Sequence, residues 1–328
     1  MKYARTRLMA PAAALAALLM TVTSAHAFKV FVSNEKEQTI SVIDSVKLEV
    51  VHTIKTGNRP RGIILANGNK WLLVCASDDN RVEVYDTKTF ELVKILPSGP
   101  DPELFTLHPS GNPLFVANED DNIVTVVDIF TGKILSEVPV GVEPEGMGVS
   151  PDGKFVVNTS ETTNMAHFID TKTYETVENI LVDNRPRVAE FTPDGGEVWV
   201  SAEIGGTITV IDAATKKVKS KFSFEIQGVN KDAIQPVGVK FSKDGKKAYV
   251  ALGPANRVAS VDPKTYKVEK YILVGQRVWN LAFTPDDKQV YTTNGTSNDV
   301  SIIDVATDKV LKSVKVGRYP WGVVALPE

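Results

Sequence analysis

The sequence predicts an all-β fold: a single seven-bladed β-propeller built from four-stranded blades. Seven aspartates end a repeated phrase such as SVID or TVID, with gaps of 42 residues and one gap of 50; they are Asp44, Asp86, Asp128, Asp170, Asp212, Asp262 and Asp304. Short runs rich in Val, Ile, Thr and aromatic residues fill each interval, with no helical periodicity. A repeat near 40 residues made of such runs is typical of propeller blades.

Residues 1–27 have the pattern of a secretory signal peptide. Three basic residues precede a short apolar core, and Ala25-His26-Ala27 has the small residues of a cleavage site. We therefore expect an exported, periplasmic protein whose mature part, residues 28–328, is one propeller domain without a membrane span. Removing the leader changes the formal net charge from −3 to −6. An acidic chain without a basic run argues against nucleic acid as a partner.

Each interval between aspartates contains four predicted strands. In residues 101–142 these are DPELFTL, PLFVAN, IVTVVD and ILSEVPVG, separated by the turn-forming segments PSGN, EDDN and IFTGK. The repeats defined in this way cover approximately residues 29–70, 71–112, 113–154, 155–196, 197–246, 247–288 and 289–328.

The two ends of the mature chain hold incomplete repeats. FKVFVSN at the start predicts a second strand, and WGVVALP at the end predicts a first strand without companions. We expect one blade to combine the C-terminal strand, innermost, with three N-terminal strands. This closure removes the edges that an open stack would expose.

When the seven repeats are aligned, two columns of the alignment are attributed to turns. The seven aspartates are expected to accept hydrogen bonds from the backbone of the turn that follows. Six residues before each of them stands a residue that tolerates positive φ. These residues are Gln38, Asn80, Asn122, Asn164, Gly206, Asn256 and Asn298.

One loop differs in residue type from repeat to repeat, whereas the two turn columns largely keep theirs. It leads into the innermost strand of each blade, which in a propeller places it at the mouth of the central channel. Proline occupies its centre in six copies, and Val278 replaces it in one. We predict ligand- or partner-binding residues on either side of this centre: Arg59, Arg61, Glu103, Glu145, Arg185, Arg187, Arg277, Trp279, Arg318, Tyr319 and Trp321.

Two interpretations of these residues remain open, and they are compatible. Arginines and glutamates of neighbouring blades can neutralise each other as partly exposed ion pairs, Arg61 with Glu103 and Glu145 with Arg187. Alternatively, the mouth is a ligand funnel, with arginine forks for carboxylates and an aromatic wall for a planar or apolar body. The extra residues of the long repeat, within 224–234, precede the same loop and form either a lid or an inert excursion.

The chain contains no recognisable catalytic or metal-binding motif. His52, His108 and His167 occupy different repeat positions, which argues against a histidine metal site. The acidic loop NEDDN at 118–122 could offer oxygens to calcium, but it lacks the spacing of a known calcium loop, and a solvated acidic turn is the default interpretation. HExxH, P-loop, GxGxxG and GxSxG motifs are all missing from the sequence. We therefore predict neither catalytic residues nor a metal site, and we expect the lone Cys75 to be a buried apolar residue.

The repeat resembles a known family. KVFVSN, TISVID and VVHTIKTGNRPRGI resemble the Tyr-Val-Thr-Asn (YVTN) repeat of bacterial seven-bladed propellers. Irregular segments such as GVEPEGM, NTSETTNMAHFID and VGRYPWGV more specifically resemble the PQQ-dependent catabolism-associated β-propeller protein family, over about residues 29–326. The resemblance implies a context of transport and pyrroloquinoline-quinone-dependent alcohol oxidation, with this quinone or another as a cofactor by association only. It assigns no site.

The favoured function is a periplasmic, non-catalytic binding or accessory propeller of PQQ-dependent alcohol catabolism. Its partner would be a small ligand or a periplasmic protein, namely a quinoprotein dehydrogenase, a cytochrome or a transporter component. Two alternatives remain. One is a propeller enzyme, either a lactonase-like hydrolase or a quinone-linked oxidoreductase, which rests on fold analogy alone. The other is a scaffold that binds only proteins.

Overall fold

The computed structural model describes residues 27–327, so most of the signal peptide predicted at 1–27 lies outside the described residues. The described chain forms seven antiparallel four-stranded sheets and two one-turn 3-10 helices, Ser77–Asp79 and Lys231–Ala233. The predicted seven-bladed propeller is confirmed. Between residues 27 and 327, no helix is long and apolar enough to cross a membrane.

The strands of each blade run in order from the innermost outwards, at the following positions. Blade 1 contains β28 (Pro320–Leu326), β1 (Lys29–Asn34), β2 (Thr39–Asp44) and β3 (Glu49–Lys55); blade 2, β4 (Pro60–Ala66), β5 (Trp71–Ala76), β6 (Arg81–Asp86) and β7 (Leu92–Pro97); blade 3, β8 (Pro102–Leu107), β9 (Leu114–Asn118), β10 (Ile123–Val127) and β11 (Ile134–Pro139); blade 4, β12 (Pro144–Val149), β13 (Phe155–Ser160), β14 (Met165–Asp170) and β15 (Thr176–Leu181). Blade 5 contains β16 (Pro186–Phe191), β17 (Glu197–Ala202), β18 (Thr207–Asp212) and β19 (Lys217–Ser223); blade 6, β20 (Val239–Phe241), β21 (Ala248–Ala251), β22 (Arg257–Asp262) and β23 (Lys267–Leu273); blade 7, β24 (Val278–Phe283), β25 (Gln289–Asn294), β26 (Asp299–Asp304) and β27 (Lys309–Lys315).

Blade 1 joins the two ends of the described chain, as predicted. β28 pairs antiparallel with β1, and Val30 faces Ala325 in the register. Successive residues of β1 point to opposite faces of the blade. Phe31 therefore packs in one core with Ile63 of blade 2, while Val30 packs in another with Tyr291 of blade 7. The closing blade thus contributes to the apolar cores on both of its sides.

Both turn columns behave as predicted. Oδ1 of Asp44 accepts hydrogen bonds from the N–H groups of Val46 and Lys47, each at 2.8 Å. The other six aspartates also accept bonds from the backbone of the following turn. Every residue of the asparagine column has a positive φ, between 52° and 67°. Both columns are therefore scaffold.

Candidate functional site: a charged cavity at the channel mouth

The loops before the innermost strands surround a cavity of about 410 Å³ at one end of the channel, here called the mouth cavity. Its lining comes from blades 2 to 7 and includes five arginines. The lining residues are Arg59, Arg61, Glu119, Glu145, Arg185, Arg187, Glu203, Ile204, Gln235, Arg277 and Trp279. The variable loop column therefore does converge on one concave site.

The asparagine column positions these loops. The side-chain oxygen of Asn164 accepts a hydrogen bond of 2.9 Å from the backbone N–H of Arg185, and Asn256 bonds Arg277 in the same way at 2.8 Å. Asn80, Asn122 and Asn298 make the equivalent bond to the loop of the next blade. The bonded residue itself has a positive φ near 55° in each of these loops, for example 56° at Arg185. A turn residue of one blade thus fixes the direction of a cavity side chain on the next blade.

A first group of ion pairs lies between blades 2 and 3. Arg59 donates hydrogen bonds to Asp101 at 2.6 Å and to Glu103 at 2.5 Å, and Arg61 also pairs with Glu103. Glu35 of blade 1 lies 3.6 Å from the guanidinium of Arg61. The predicted pairing of Arg61 with Glu103 across the blade boundary is therefore present.

A second group of ion pairs lies between blades 4 and 5 and extends towards blade 7. Arg187 donates to Glu145 at 2.8 Å and also pairs with Glu161. Arg185 contacts Glu161 at 2.8 Å and Glu203 at 3.1 Å. Arg277 reaches the same Glu203 at 2.7 Å, although the two residues are 74 positions apart in the chain.

The expectation that these pairs are partly exposed is wrong for their centres. Glu103 is 0% exposed, Glu145 is 1% exposed and Arg187 is 4% exposed. A carboxylate or guanidinium removed from water in this way interacts more strongly with its partner, and it also costs more when that partner is lost. These pairs therefore belong to the energetic class of buried ion pairs.

The predicted aromatic wall is only partly present. The Arg277 guanidinium lies over the ring of Trp279, 4.3 Å from its centroid, and Trp279 lines the mouth cavity. Gly295 allows this position, because a Cβ there would lie 2.4 Å from the indole nitrogen. Trp321 is buried, with Arg61 5.4 Å from its ring centroid, and it lines the apolar channel below the mouth.

Four predicted residues are not part of the lining of the mouth cavity: Glu103, Trp321, Arg318 and Tyr319. Glu103 is buried in its ion pairs with Arg59 and Arg61, and Trp321 lines the channel below. Arg318 donates from its backbone to Glu37 and from its guanidinium to the carbonyl of Lys36. The Lys36 ammonium lies 4.0 Å from the ring centroid of Tyr319. Arg318 and Tyr319 thus interact with the loop between β1 and β2 instead of lining the cavity.

A second column of residues at the mouth is not among the predicted site residues. It follows the second strand of each blade and consists of Glu35, Ser77, Glu119, Glu161, Glu203, Gly253 and Gly295, which share one position of the repeat. Four glutamates at one repeat position are a signal that the alignment contained. Their side chains meet the arginines of the first column, whereas the two glycines leave room beside the loops of blades 6 and 7.

Burial and charge crowding change the proton affinity of several of these groups. Burial, together with the nearby Glu103 and Asp101, raises the pKa of Glu119 to about 8. Burial also raises the pKa of Glu145 well above its usual range, although Arg187 acts in the opposite direction. Burial opposes the charge of Arg187, but Glu145 and Glu161 outweigh it and raise the pKa of that guanidinium. The arginines therefore stay charged, and the carboxyls are the groups that take up protons.

Some buried polar atoms of the mouth have no hydrogen-bond partner among residues 27–327. The donors are Nε of Arg61, Nε of Arg187 and the indole nitrogens of Trp279 and Trp321; Oε2 of Glu145 is an acceptor. Buried polar groups in proteins are normally bonded, to protein atoms or to ordered water. The mouth thus retains hydrogen-bonding capacity that the protein itself does not use.

The long repeat does not contribute to the mouth cavity. No residue of 224–234 is part of its lining. Phe224 and Ile234, at the two ends of the segment, are buried in an apolar core with Ile208 of blade 5 and Val250 of blade 6. The insertion therefore packs between blades, which does not favour the lid interpretation.

Comparison with known proteins supports the fold and one family. The model of the family described as "Choice-of-anchor I domain" matches residues 120–298. No curated protein matches the chain. The more specific resemblance to the PQQ-dependent catabolism-associated family stays a prediction.

Solved structures with the same fold have diverse descriptions. Hydrazine synthase of Kuenenia stuttgartiensis is 21% identical with a TM-score of 0.78, over 85% of this chain and 93% of that chain. A functionally unknown protein from Desulfotomaculum acetoxidans DSM 771 is 16% identical with a TM-score of 0.76, over 92% and 99%. A candidate 6-phosphogluconolactonase from Bacteroides fragilis NCTC 9343 is 19% identical with a TM-score of 0.76, over the same shares. At these identities the likeness shows the fold alone.

Proposed function

This chain belongs to the choice-of-anchor I domain family, and we propose that it is a periplasmic binding or accessory propeller. In this proposal the mouth cavity binds a small anionic ligand with a planar or apolar body. The observation that carries the proposal is the convergence of five arginines and Trp279 on one cavity of about 410 Å³. This volume lies within the range of roughly 300–1,000 Å³ that is usual for small-molecule sites.

The unused donors indicate the charge of the ligand. The Nε atoms of Arg61 and Arg187 and the indole nitrogen of Trp279 offer three buried N–H groups that have no acceptor within residues 27–327. Carboxylate oxygens suit guanidinium donors, and an indole face suits a flat, partly apolar body. An aromatic carboxylate therefore fits the cavity better than a neutral or cationic molecule.

The lining contains one class of group suited to covalent chemistry. It supplies guanidinium, carboxyl, amide, indole and aliphatic groups, so its candidate nucleophiles or bases are the carboxyls of Glu119, Glu145 and Glu203. The fold does not select an activity, because propellers of the same shape have unrelated functions. The enzyme alternatives therefore rest on these carboxyl groups alone.

The association with PQQ-dependent alcohol catabolism rests on the resemblance of the sequence segments. Pyrroloquinoline quinone is a planar tricarboxylate, so its chemistry matches the arginine and tryptophan side of the cavity. A protein of the same pathway, such as a quinoprotein dehydrogenase, a cytochrome or a transporter component, is the corresponding macromolecular partner. Neither is required for the more general proposal of an anionic ligand.

Native mass spectrometry and equilibrium dialysis test the proposal. Protein purified from the periplasm of alcohol-grown cells is first examined for a bound small molecule or subunit. Pyrroloquinoline quinone then serves as the probe in dialysis with wild type, Arg277→Gln and Trp279→Leu. Arg318→Gln is the matched control, because Arg318 is an exposed arginine outside the cavity. We expect at least tenfold weaker binding in the two cavity variants and wild-type binding in the control.

Two outcomes would contradict the proposal. Equal binding by wild type, Arg277→Gln and Trp279→Leu would place the ligand elsewhere. If the wild type bound no small molecule but captured a periplasmic protein that Arg277→Gln failed to capture, the scaffold alternative would be favoured.

A further inference from the structure

The formal charge of the chain is divided unevenly around the ring. Residues 28–212, which form β1 to β18 of blades 1 to 5, contain 15 Lys and Arg against 29 Asp and Glu. Residues 213–328, which complete blade 5, form blades 6 and 7 and supply β28, contain 19 against 11. One side of the propeller is therefore basic, although the mature chain has a formal net charge of −6.

The basic charge is concentrated on the outermost strands of three consecutive blades. β19, β23 and β27 carry eight lysines, all of them exposed, and one acidic residue, Glu269. The outermost strands of the other four blades, β3, β7, β11 and β15, carry two lysines and three glutamates. The eight lysines of β19, β23 and β27 are called the basic rim below.

Protection of sheet edges does not account for this distribution. Lysine on an edge strand discourages unwanted pairing with another sheet. Each blade of the propeller ends in such an edge, because its outermost strand has a neighbour on one side only. Edge protection therefore predicts lysine on all seven outermost strands alike, whereas three adjoining blades carry eight of the ten lysines. The basic rim thus requires another explanation.

Half of the basic rim is not used by the protein itself. Lys219 and Lys221 form ion pairs with carboxylates, at 2.6 Å and 3.1 Å. Lys270 and Lys315 donate hydrogen bonds to backbone carbonyls. The other four ammonium groups have neither kind of contact within residues 27–327; they belong to Lys217, Lys267, Lys309 and Lys312. These four charges are available to another molecule.

Apolar side chains are exposed between these lysines. Val310 and Leu311 on β27 are exposed, and so is Val218 on β19. Protein interfaces combine apolar contacts with charges that complement those of the partner. An anionic membrane fits less well, because the aromatic residues that would anchor the surface in the membrane interface, Phe222 and Tyr271, pack against the core between blades 5 and 6.

We propose that the basic rim is a docking surface for an acidic region of another protein. Carboxylates of the partner pair with the four free lysines, and its apolar side chains cover Val218, Val310 and Leu311. Opposite surface charges also steer the two proteins towards each other before contact. None of the rim lysines lines the mouth cavity, so this docking surface does not depend on the anion site proposed above.

A second copy of this chain is a less suitable partner. Its acidic blades lie across the ring from its own basic rim. Contacts between the acidic side of one copy and the basic rim of the next would be head-to-tail, and head-to-tail contacts extend into open chains unless the rotation closes a ring. A different, acidic protein meets the same lysines without this consequence.

Fluorescence anisotropy with two acidic peptides tests the surface. Both peptides carry fluorescein; one repeats Glu-Glu-Leu and the other repeats Glu-Glu-Ser. We expect saturable binding at low salt that weakens at about 150 mM NaCl, where exposed charges are screened beyond about 8 Å. The leucine peptide should bind more tightly, because apolar residues are exposed between the lysines.

Two charge-matched variants locate the binding. The rim variant combines Lys217→Gln, Lys267→Gln, Lys309→Gln and Lys312→Gln. The control variant replaces one exposed lysine on each of blades 1 to 4, by Lys47→Gln, Lys88→Gln, Lys133→Gln and Lys172→Gln. Both variants lose four positive charges, so an effect of net charge alone would be equal in the two. We expect at least tenfold weaker peptide binding in the rim variant and less than a twofold change in the control. Because all eight side chains are exposed, both variants should keep the wild-type melting temperature.

The outcomes against the proposal are distinct. Absence of saturable binding at low salt, or equal weakening in both variants, would overturn it. Equal affinity for the two peptides would overturn the assignment to a protein interface. Sedimentation velocity at low salt would assign the surface to a second copy if the wild type self-associated and the rim variant did not. Cosedimentation with vesicles of equal parts phosphatidylglycerol and phosphatidylcholine, lost in the rim variant, would assign it to a membrane. Arg277→Gln should bind the peptides as the wild type does; weaker binding there would place them in the mouth cavity instead.

Discussion

Replacement of Arg187 by methionine should destabilise the propeller strongly, and the loss should depend on pH. Arg187 is 4% exposed, donates to Glu145 at 2.8 Å and also pairs with Glu161. Methionine keeps an unbranched chain of similar length and removes the charge. The variant removes the ion-pair partner of Glu145 and leaves Glu161 with Arg185 alone, so the buried carboxyls are expected to take up protons or to admit water.

The size of the effect follows from burial. Removal of one partner from a buried ion pair costs about 3–5 kcal/mol, whereas an exposed pair contributes about 1 kcal/mol or less. A domain of about 300 residues has an unfolding entropy near 0.6 kcal/mol per kelvin, from about 2.1 cal/mol/K per residue. The expected loss therefore corresponds to a fall in melting temperature of about 5–8 °C.

The direction of the pH dependence follows from the raised pKa values of Glu145 and Glu161. A carboxyl whose pKa is higher in the folded state binds more protons folded than unfolded. Its contribution to stability is therefore present at low pH and is lost as the pH rises through the folded pKa. Without Arg187 both pKa values rise further, so the variant should lose more stability at pH 8 than at pH 5.

Melting curves followed by circular dichroism at pH 5 and pH 8 provide the measurement. Lys240→Met is the control, because its pair with Glu190, also 2.8 Å long, is partly exposed and should cost at most about 1 kcal/mol. If Arg187→Met lost no more stability than this control, Arg187 would not act as the partner of a buried ion pair. An equal loss at both pH values would refute the part of the argument that depends on protonation of Glu145 and Glu161.

Three further predictions concern the scaffold. Deletion of residues 321–328 removes β28 from the edge of β1, so the whole ring should melt at a much lower temperature; an unchanged melting temperature would contradict the closure. Gly146→Ala should destabilise the protein by more than about 1 kcal/mol in denaturant titrations, because the new Cβ would lie 2.2 Å from the carbonyl oxygen of Arg187. Gly196→Ala is the control and should not destabilise it to this extent, because the nearest atom to its new Cβ would be 3.4 Å away. Burial lowers the pKa of His167, so the unfolded chain binds a proton at this residue before the folded chain does as the pH falls. The melting temperature of His167→Gln should therefore decline less between pH 7 and pH 5 than that of the wild type. The same decline in both proteins would exclude the effect.

The position of the candidate site could be predicted from the sequence, but its composition only in part. The column around proline identified Arg59, Arg61, Arg185, Arg187 and Arg277, and all five line the mouth cavity. The same column suggested four residues that do not line this cavity, Glu103, Arg318, Tyr319 and Trp321, because a repeat position does not specify the direction of each side chain.

The glutamate column was overlooked for a different reason. Glu119 and Glu161 stand in polar loops, where acidic residues are expected without any special role. Their importance depends on the arginines of a neighbouring blade, which are many residues away in the chain. Only the arrangement of the blades brings the two columns within bonding distance.

The sequence by itself determined the number of blades, the closure of the ring and the location of the variable loops. These features depend on local chemistry that repeats: aspartates that accept turn hydrogen bonds, asparagines at positive φ and short, largely buried strands such as β2. The tertiary structure alone decided which charges are buried and which meet. Glu103 and Arg187 are charged residues at the starts of innermost strands, and they are only 0% and 4% exposed in the ring. Electrostatic strength depends on distance and on access to water, and both are set here by contacts between blades.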